Sequence, residues 1–236
     1  MDGRRARGAD WRGRGNFKSE RMVFMKEIKL RLTFTEGLLG TSPSDEDIYR
    51  NFIGSKAPDA QSLEEEVAAI GADEVVEKGM TIFTHMDNKQ PHLWDYQIKG
   101  FMKDACSMMN RSKGSESGKL KAYRKIIDGL IFVAPRKIPL LLNGDIGLCQ
   151  RPIRVQTAQG ERVALSISEE AYAGTSIELT IILLDDAHEK ALYEWLNYGC
   201  LRGIGQWRNS GKGRFLWENL ETGEGTAPEW RNLLAG

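Results

Sequence analysis

Cysteine is scarce in this chain of 236 residues, and its three copies lie far apart. Cys106, Cys149 and Cys200 form no CxxC pair, which argues against both a zinc site and a disulfide framework. Proteins without disulfides are typical of reducing compartments. We therefore predict a cytoplasmic protein.

Long apolar runs and the common enzyme motifs are missing as well. No stretch approaches the roughly 20 apolar residues of a membrane span, and residues 1–24 lack the apolar region of a signal peptide. No GxSxG, Walker-type GKS or GKT, or strand-preceded GxGxxG occurs. The three histidines (His85, His92 and His188) have no metal-ligand spacing. We predict neither a metal nor a cofactor, and no membrane partner.

Charge is balanced overall but not along the chain. The formal net charge is zero, yet residues 40–78 carry ten acids and three bases, whereas residues 99–137 carry ten bases and three acids. One basic face on a neutral protein can attract a polyanion. The alternative is a solvated basic face balanced by an acidic neighbour.

The most informative segment is a basic glycine-rich loop at residues 203–215, GIGQWRNSGKGRF, which contains no acid. Glycine allows backbone amides to approach a ligand closely, and such amides form anion-binding concavities. Cations and an indole ring add phosphate contacts and a stacking face. The loop predicts nucleic-acid contact by Gly203, Gly205, Trp207, Arg208, Gly211, Lys212, Gly213 and Arg214. The alternative is a tight connection whose glycines serve turn geometry and whose tryptophan is buried.

Hydrophobic periodicity predicts an α+β fold with helices on one face of an antiparallel sheet. Strands are predicted at residues 27–35, 80–84, 130–133, 139–142, 153–156, 162–167, 176–184 and 214–218. Helices are predicted at residues 62–77, 95–109 and 187–199. We assign residues 1–24 to a disordered Arg/Gly-rich tail, 25–218 to one domain with an acidic insertion at about 43–90, and 219–236 to a C-terminal tail.

Four segments, in order, resemble the RAMP superfamily of CRISPR RNA-binding proteins. They are KLRLTFTEGLLGTS at residues 29–42, DYQIKGFMKDA at 95–105, ERVALSISEEAYAGTSIELTI at 161–181, and the glycine-rich loop with its preceding residues at 199–215. The resemblance implies a ferredoxin-like (RRM-type) core with an inserted subdomain and a β-hairpin. It also implies a backbone-type subunit that grips guide-RNA phosphates and assembles with like subunits or other effector-complex proteins.

The resemblance implies further contacts outside the loop. Lys99 and Gly100 are expected to open a helix whose amides bind RNA phosphates, with Gln97 and Lys103 assisting; the alternative is a merely solvated lysine. Arg154 and Arg162 flank a hairpin, expected to be short, that is similar to the family's thumb.

A catalytic function is less favoured than a binding function, and no residue is assigned a catalytic role. Asp45 or Asp47 matches, by position alone, a target-cleaving aspartate after the first strand, and an ordinary helix N-cap is the alternative. His85 and Asp87 are the remaining candidates for acid–base work. Two other functions stay open: an RNA endonuclease, and a phage or mobile-element relative that binds RNA or single-stranded DNA, or mimics a subunit.

Overall fold

A computed structural model describes residues 25–44, 80–157 and 160–226, without the side chains of residues 153–164. The predicted Arg/Gly-rich tail, the predicted helix at 62–77 and both Asp45 and Asp47 lie outside these ranges. The described part is α+β, with three sheets and three α-helices.

Four antiparallel strands form the central sheet: β1 (Lys26–Phe34), β7 (Ile131–Ala134), β11 (Ser176–Leu183) and β12 (Phe215–Asn219). Their spatial order is β12-β1-β11-β7. Residues in β1 alternate as predicted, so that Ile28, Leu30, Leu32 and Phe34 are buried on one face. This buried face is where the helices pack.

Three helices accompany the sheet: α1 (Asp95–Met109), α2 (Tyr123–Leu130) and α3 (Glu189–Arg202). Helix α1 has the predicted bounds and buries Phe101, while α3 buries Trp195. Gly199 lets α3 lie close to the sheet, because a Cβ there would overlap the Phe215 ring. The central elements follow the chain as strand, helix, two strands, helix, strand.

The second sheet consists of β2 (Leu38–Leu39), β3 (Ser42–Pro43), β4 (Thr81–Ile82), β9 (Gly147–Thr157) and β10 (Gly160–Ala171). Strand β10 pairs with β9 along its length and with β2 and β4 near its end. The predicted short hairpin is wrong in length, since its strands have 11 and 12 residues.

The third sheet is small and lies beside the start of α1. It pairs β5 (Thr84–His85), β6 (Pro91–Trp94) and β8 (Lys137–Pro139), in that order. The strand predicted at residues 139–142 is observed as β8, which begins two residues earlier and ends at Pro139. Beyond β8, Leu141 forms an isolated β-bridge to Ser176.

Helix α2 was not predicted, and the C-terminal region continues to pack beyond β12. Helix α2 has only eight residues, of which Ile127 is buried. Residues 219–226, which the sequence assigns to the tail, turn back onto β12, where Thr226 is buried and its Oγ1 accepts from the Trp217 backbone N–H at 2.9 Å. No described helix is long and apolar enough to span a membrane.

Candidate nucleic-acid interface

The glycine-rich loop connects α3 to β12 and is closed at its base. Gly203 and Gly213 both have positive φ, at 74° and 72°. The Ile204 N–H donates to the Gly213 carbonyl at 3.0 Å, and a Cβ on Gly213 would overlap the Ile204 carbonyl. Because Ile204 is buried, the loop is anchored in the core while its tip faces outward.

Three hydrogen bonds attach the loop to the segment after β1, one of them from the Thr35 N–H to the Arg214 carbonyl at 2.9 Å. The Gly213 N–H donates to the Gly37 carbonyl at 3.0 Å, and Gln206 Nε2 donates to the Gly40 carbonyl at 2.8 Å. These bonds position the loop against residues 37–40, which belong to the first segment of the resemblance.

Three successive backbone amides at the tip of the loop have no partner among the described residues. Within the described residues, the N–H groups of Gly205, Gln206 and Trp207 donate to no protein acceptor. Gly205 and Trp207 both have positive φ, at 84° and 52°. Successive unbonded amides in such conformations form an anion-binding concavity.

Trp207 lies at the rim of this concavity, and the alternative of a buried indole is wrong, because its side chain is 41% exposed. The Arg151 guanidinium lies beneath it, 5.0 Å from the ring centroid. Arg151 is only 6% exposed and donates to Gln206 Oε1 at 3.0 Å and Ser168 Oγ at 3.3 Å. No described acid pairs with it.

Sequence patterns missed Arg151, which is the hairpin cation that contacts Trp207 among the described side chains. The predicted strand began at Ile153, two residues after Arg151, so the sequence did not place Arg151 in strand β9. Arg154 and Arg162, the predicted hairpin cations, are paired in backbone register with Val163 and Val155, but their side chains are outside the described set.

The other loop cations are held by neighbours. Arg208 Nη1 contacts Asp104 Oδ2 of α1 at 2.6 Å, and Lys212 Nζ contacts Glu170 Oε1 at 2.6 Å. Arg214 Nε donates to the Leu201 carbonyl at 2.9 Å. Ion pairing fixes these side chains at the rim but also neutralises part of their charge.

A small depression opens beside the tip of the loop. It has a volume of about 240 Å³ and is lined by Arg202, Gly205, Trp207, Arg208 and Asn209, with no acid among them. Arg202 Nη1 donates to Asn209 Oδ1 at 2.6 Å. Drug-sized pockets start at roughly 300 Å³, so this depression suits one unit of a longer chain better than a whole small molecule.

The predicted helix start at Lys99 and Gly100 is wrong in its geometry. Helix α1 begins at Asp95, so the amides of residues 99 and 100 are already inside the helix, beyond its four unbonded N–H groups. Lys99 Nζ lies 4.7 Å over the Phe132 ring and donates to the Asp128 carbonyl at 3.3 Å. Lys103 Nζ contacts Asp128 Oδ1 at 2.5 Å.

Different faces of α1 therefore meet different neighbours. Lys99 and Asp104 are five residues apart, which places them about 140° apart around the helix. Gly100 and Asp104 are one turn apart on the face that meets Arg208. Gln97 links the helix to the β1–β3 segment, because its Nε2 donates to Thr41 Oγ1 at 2.7 Å.

Of the four weak catalytic candidates, His85 and Asp87 lie in the described ranges. His85 and Asp87 are exposed in and after β5, whereas His92 is buried with its Nε2 3.2 Å from Thr84 Oγ1. In the described ranges, no group of three or more His, Cys, Asp or Glu side chains is arranged to hold a metal ion.

Comparison with known proteins finds similarity in structure but not in sequence. No family model matches the chain, and no curated protein matches it. A chain in the cryo-EM structure of the Type III-B Cmr-beta bound to cognate target RNA aligns with 81% of this chain at 12% identity and a TM-score of 0.46. The alignment spans 58% of that chain's length. A likeness at this level assigns neither a family nor a function.

Proposed function

We propose that this chain binds single-stranded RNA through the glycine-rich loop and the adjoining face of α1, on a ferredoxin-like core. The order of the central elements and the strand order β12-β1-β11-β7 support that core. The resemblance of the four sequence segments supports RNA as the ligand and a RAMP-type backbone subunit as the finer role.

The observation that carries the proposal is the row of unbonded amides at Gly205, Gln206 and Trp207, next to a depression lined by Arg202 and Arg208. Phosphate oxygens accept hydrogen bonds from such amides and bidentate bonds from arginine. Neither feature requires a particular base, so the site suits a sugar-phosphate backbone.

Charge around the loop favours an anion despite the ion pairs. Five described cations surround it, whereas two described acids, Asp104 and Glu170, contact them. The cations are Arg151, Arg202, Arg208, Lys212 and Arg214. An excess of positive charge remains, and it raises the local concentration of a polyanion.

Trp207 supplies the second element of single-strand binding. Exposed aromatic rings beside a basic groove stack with bases regardless of sequence. Arg151 holds the inner face of the ring, so its outer face is presented to solvent with little freedom. A rigid stacking surface loses less entropy on binding than a mobile one.

The opposite face of the central sheet is poorly suited to RNA. Arg31 pairs in register with Glu178 and Glu218, and its guanidinium contacts Glu178 at 2.7 Å. Arg31 is therefore flanked by two glutamates on the neighbouring strands. That face therefore provides a matched control surface for experiments on the loop.

The proposal is tested by the salt dependence of RNA affinity. Fluorescence anisotropy with a labelled single-stranded RNA is measured across a salt series for the unsubstituted protein and for Arg208→Gln/Arg214→Gln. Loss of two phosphate contacts should flatten the slope of log K against log salt by about 1.4, at about 0.7 per contact.

The control is Arg31→Gln, which removes an exposed arginine from the opposite face and should leave the slope unchanged. Equal slopes for all three proteins would overturn the loop as the phosphate site. A labelled single-stranded DNA of the same sequence, measured in parallel, distinguishes the two nucleic acids through the 2′-hydroxyl.

A further inference from the structure

A second cluster of aromatic and basic side chains lies where β6 meets the start of α1. Trp94 and Tyr96 are stacked, with ring centroids 6.0 Å apart and planes 15° apart. Tyr96 is 58% exposed. Arg136 Cζ and Lys137 Nζ lie 5.8 Å and 5.6 Å from the centre of the Trp94 ring.

These rings form one wall of a cleft, which we call the aromatic cleft. It has a volume of about 450 Å³, and its lining includes Ser42, Ile82, Thr84, Trp94, Tyr96 and Arg136. No acid is among the described residues that line it. The volume lies within the roughly 300–1,000 Å³ typical of small-ligand sites.

The lining of the cleft combines groups that suit a flat heterocycle. Beside the aromatic rings and the Arg136 guanidinium it includes Ser42 and Thr84, which carry hydroxyl groups, and the apolar side chain of Ile82. A nucleobase stacks on aromatic rings and bonds to polar groups through its edge.

A short segment, residues 40–42, links the cleft to the glycine-rich loop. Gln206, next to Trp207, donates to the Gly40 carbonyl, and Ser42 lines the aromatic cleft. Gln97 donates to Thr41 between them and accepts from the Trp94 N–H at 2.7 Å. Residues 40–44 span at most about 13 Å when extended, so one short nucleic-acid strand can reach both places.

We propose that the aromatic cleft is a second nucleobase-binding subsite, in which a base stacks against Tyr96 and Trp94 and its phosphate contacts Arg136 or Lys137. This subsite rests on the proposed function, because it extends the same strand away from Trp207. It gives the chain two stacking positions separated by the β1–β3 segment.

The test combines affinity with photochemical crosslinking. A labelled single-stranded RNA carrying 5-iodouridine at successive positions is irradiated with the full chain, and the crosslinked peptides are identified by mass spectrometry. We expect a crosslink within residues 94–96 and an affinity roughly ten-fold lower for Tyr96→Ala. Tyr172→Ala is the control, since Tyr172 is also an exposed tyrosine, at 49%.

The possible outcomes distinguish failure of this subsite from failure of the loop site. If Trp207→Ala weakens binding but Tyr96→Ala behaves like Tyr172→Ala, with no crosslink near residue 95, the subsite is overturned and the loop site stands. Absence of any RNA binding by the unsubstituted protein overturns both. Thermal unfolding of each variant checks that Tyr96→Ala remains folded, and Tyr96→Leu, which keeps bulk without an aromatic face, should show the same loss.

Discussion

The Arg151 guanidinium lies 5.0 Å from the centre of the Trp207 ring, and the two residues come from different parts of the fold. Arg151 is in strand β9, whereas Trp207 is in the loop after α3. The contact joins the hairpin to the proposed RNA site. It also explains how a buried arginine without a described acidic partner is accommodated, through an aromatic face and two neutral hydrogen-bond acceptors.

Replacing Arg151 should affect both stability and binding. In Arg151→Gln, the acceptors Gln206 Oε1 and Ser168 Oγ lose a charged donor, which costs about 1–3 kcal/mol of unfolding free energy. RNA affinity should fall as well, because Trp207 loses the surface that fixes its ring. Denaturant unfolding and RNA anisotropy measure the two effects, and a variant that lost stability but kept full affinity would show that Arg151 has no role at the site.

Gly100 offers a test in which stability and binding change in opposite directions. A Cβ at this helix position meets nothing within 4 Å, so Gly100→Ala should stabilise the protein by about 0.5–1 kcal/mol. If the RNA backbone approaches this face of α1, the added methyl group should nevertheless weaken RNA binding.

Gly129→Ala is the matched control for that experiment. Gly129 is also helical, and a Cβ there also meets nothing within 4 Å, but it lies in α2, away from the loop. We expect a comparable gain in stability without a change in affinity. Identical RNA affinities for the two alanine variants would contradict a groove at Gly100.

The stability of the fold should decrease on mild acidification because of His92. Burial, together with the charges of Lys137 and His85, holds the pKa of His92 below its ordinary value. Between that lowered pKa and about 6.5, the unfolded chain binds a proton that the folded chain does not, so stability rises with pH across this window.

The measurement compares the unfolding free energy of the protein and of His92→Gln from about pH 5 to pH 7.5. The two proteins should differ in the slope of unfolding free energy against pH. This difference should vanish above about pH 6.5 and grow below it. His85→Gln, at an exposed position, should retain most of the pH dependence of stability that His92 causes. A His92→Gln variant with the same pH dependence as the parent would refute the assignment.

The parts of the fold that depend on local periodicity were predictable. Strand β1 alternates strictly, and α1 has a clear apolar stripe, so both were predicted within a residue of their observed bounds. Helix α2 escaped prediction because it has only eight residues, which is too short for a helical period to be recognised in the sequence.

The site was predictable only in its composition. The glycines, Trp207 and the cations of the loop are visible in the sequence, but their partners are not. Arg208 meets Asp104, which is 104 positions earlier, and Trp207 meets Arg151 from the hairpin. Such pairs depend on the packing of α1 and β9 against the loop, which no local pattern encodes. The same packing pairs Lys99 with Phe132 and Asp128, whereas the sequence predicted that Lys99 opens the helix and binds phosphate.

The Asp104–Arg208 pair provides the most direct measurement of the central claim, that the loop and α1 present one RNA-binding groove. The RNA affinity and its salt slope are compared for Asp104→Asn and Arg208→Gln. We predict changes of opposite sign: tighter binding and a steeper slope for Asp104→Asn, which leaves Arg208 to the phosphate, and weaker binding with a slope flatter by about 0.7 for Arg208→Gln. If both variants bind RNA as the parent does, or if both weaken binding only in proportion to lost stability, the pair is purely structural and the account is contradicted.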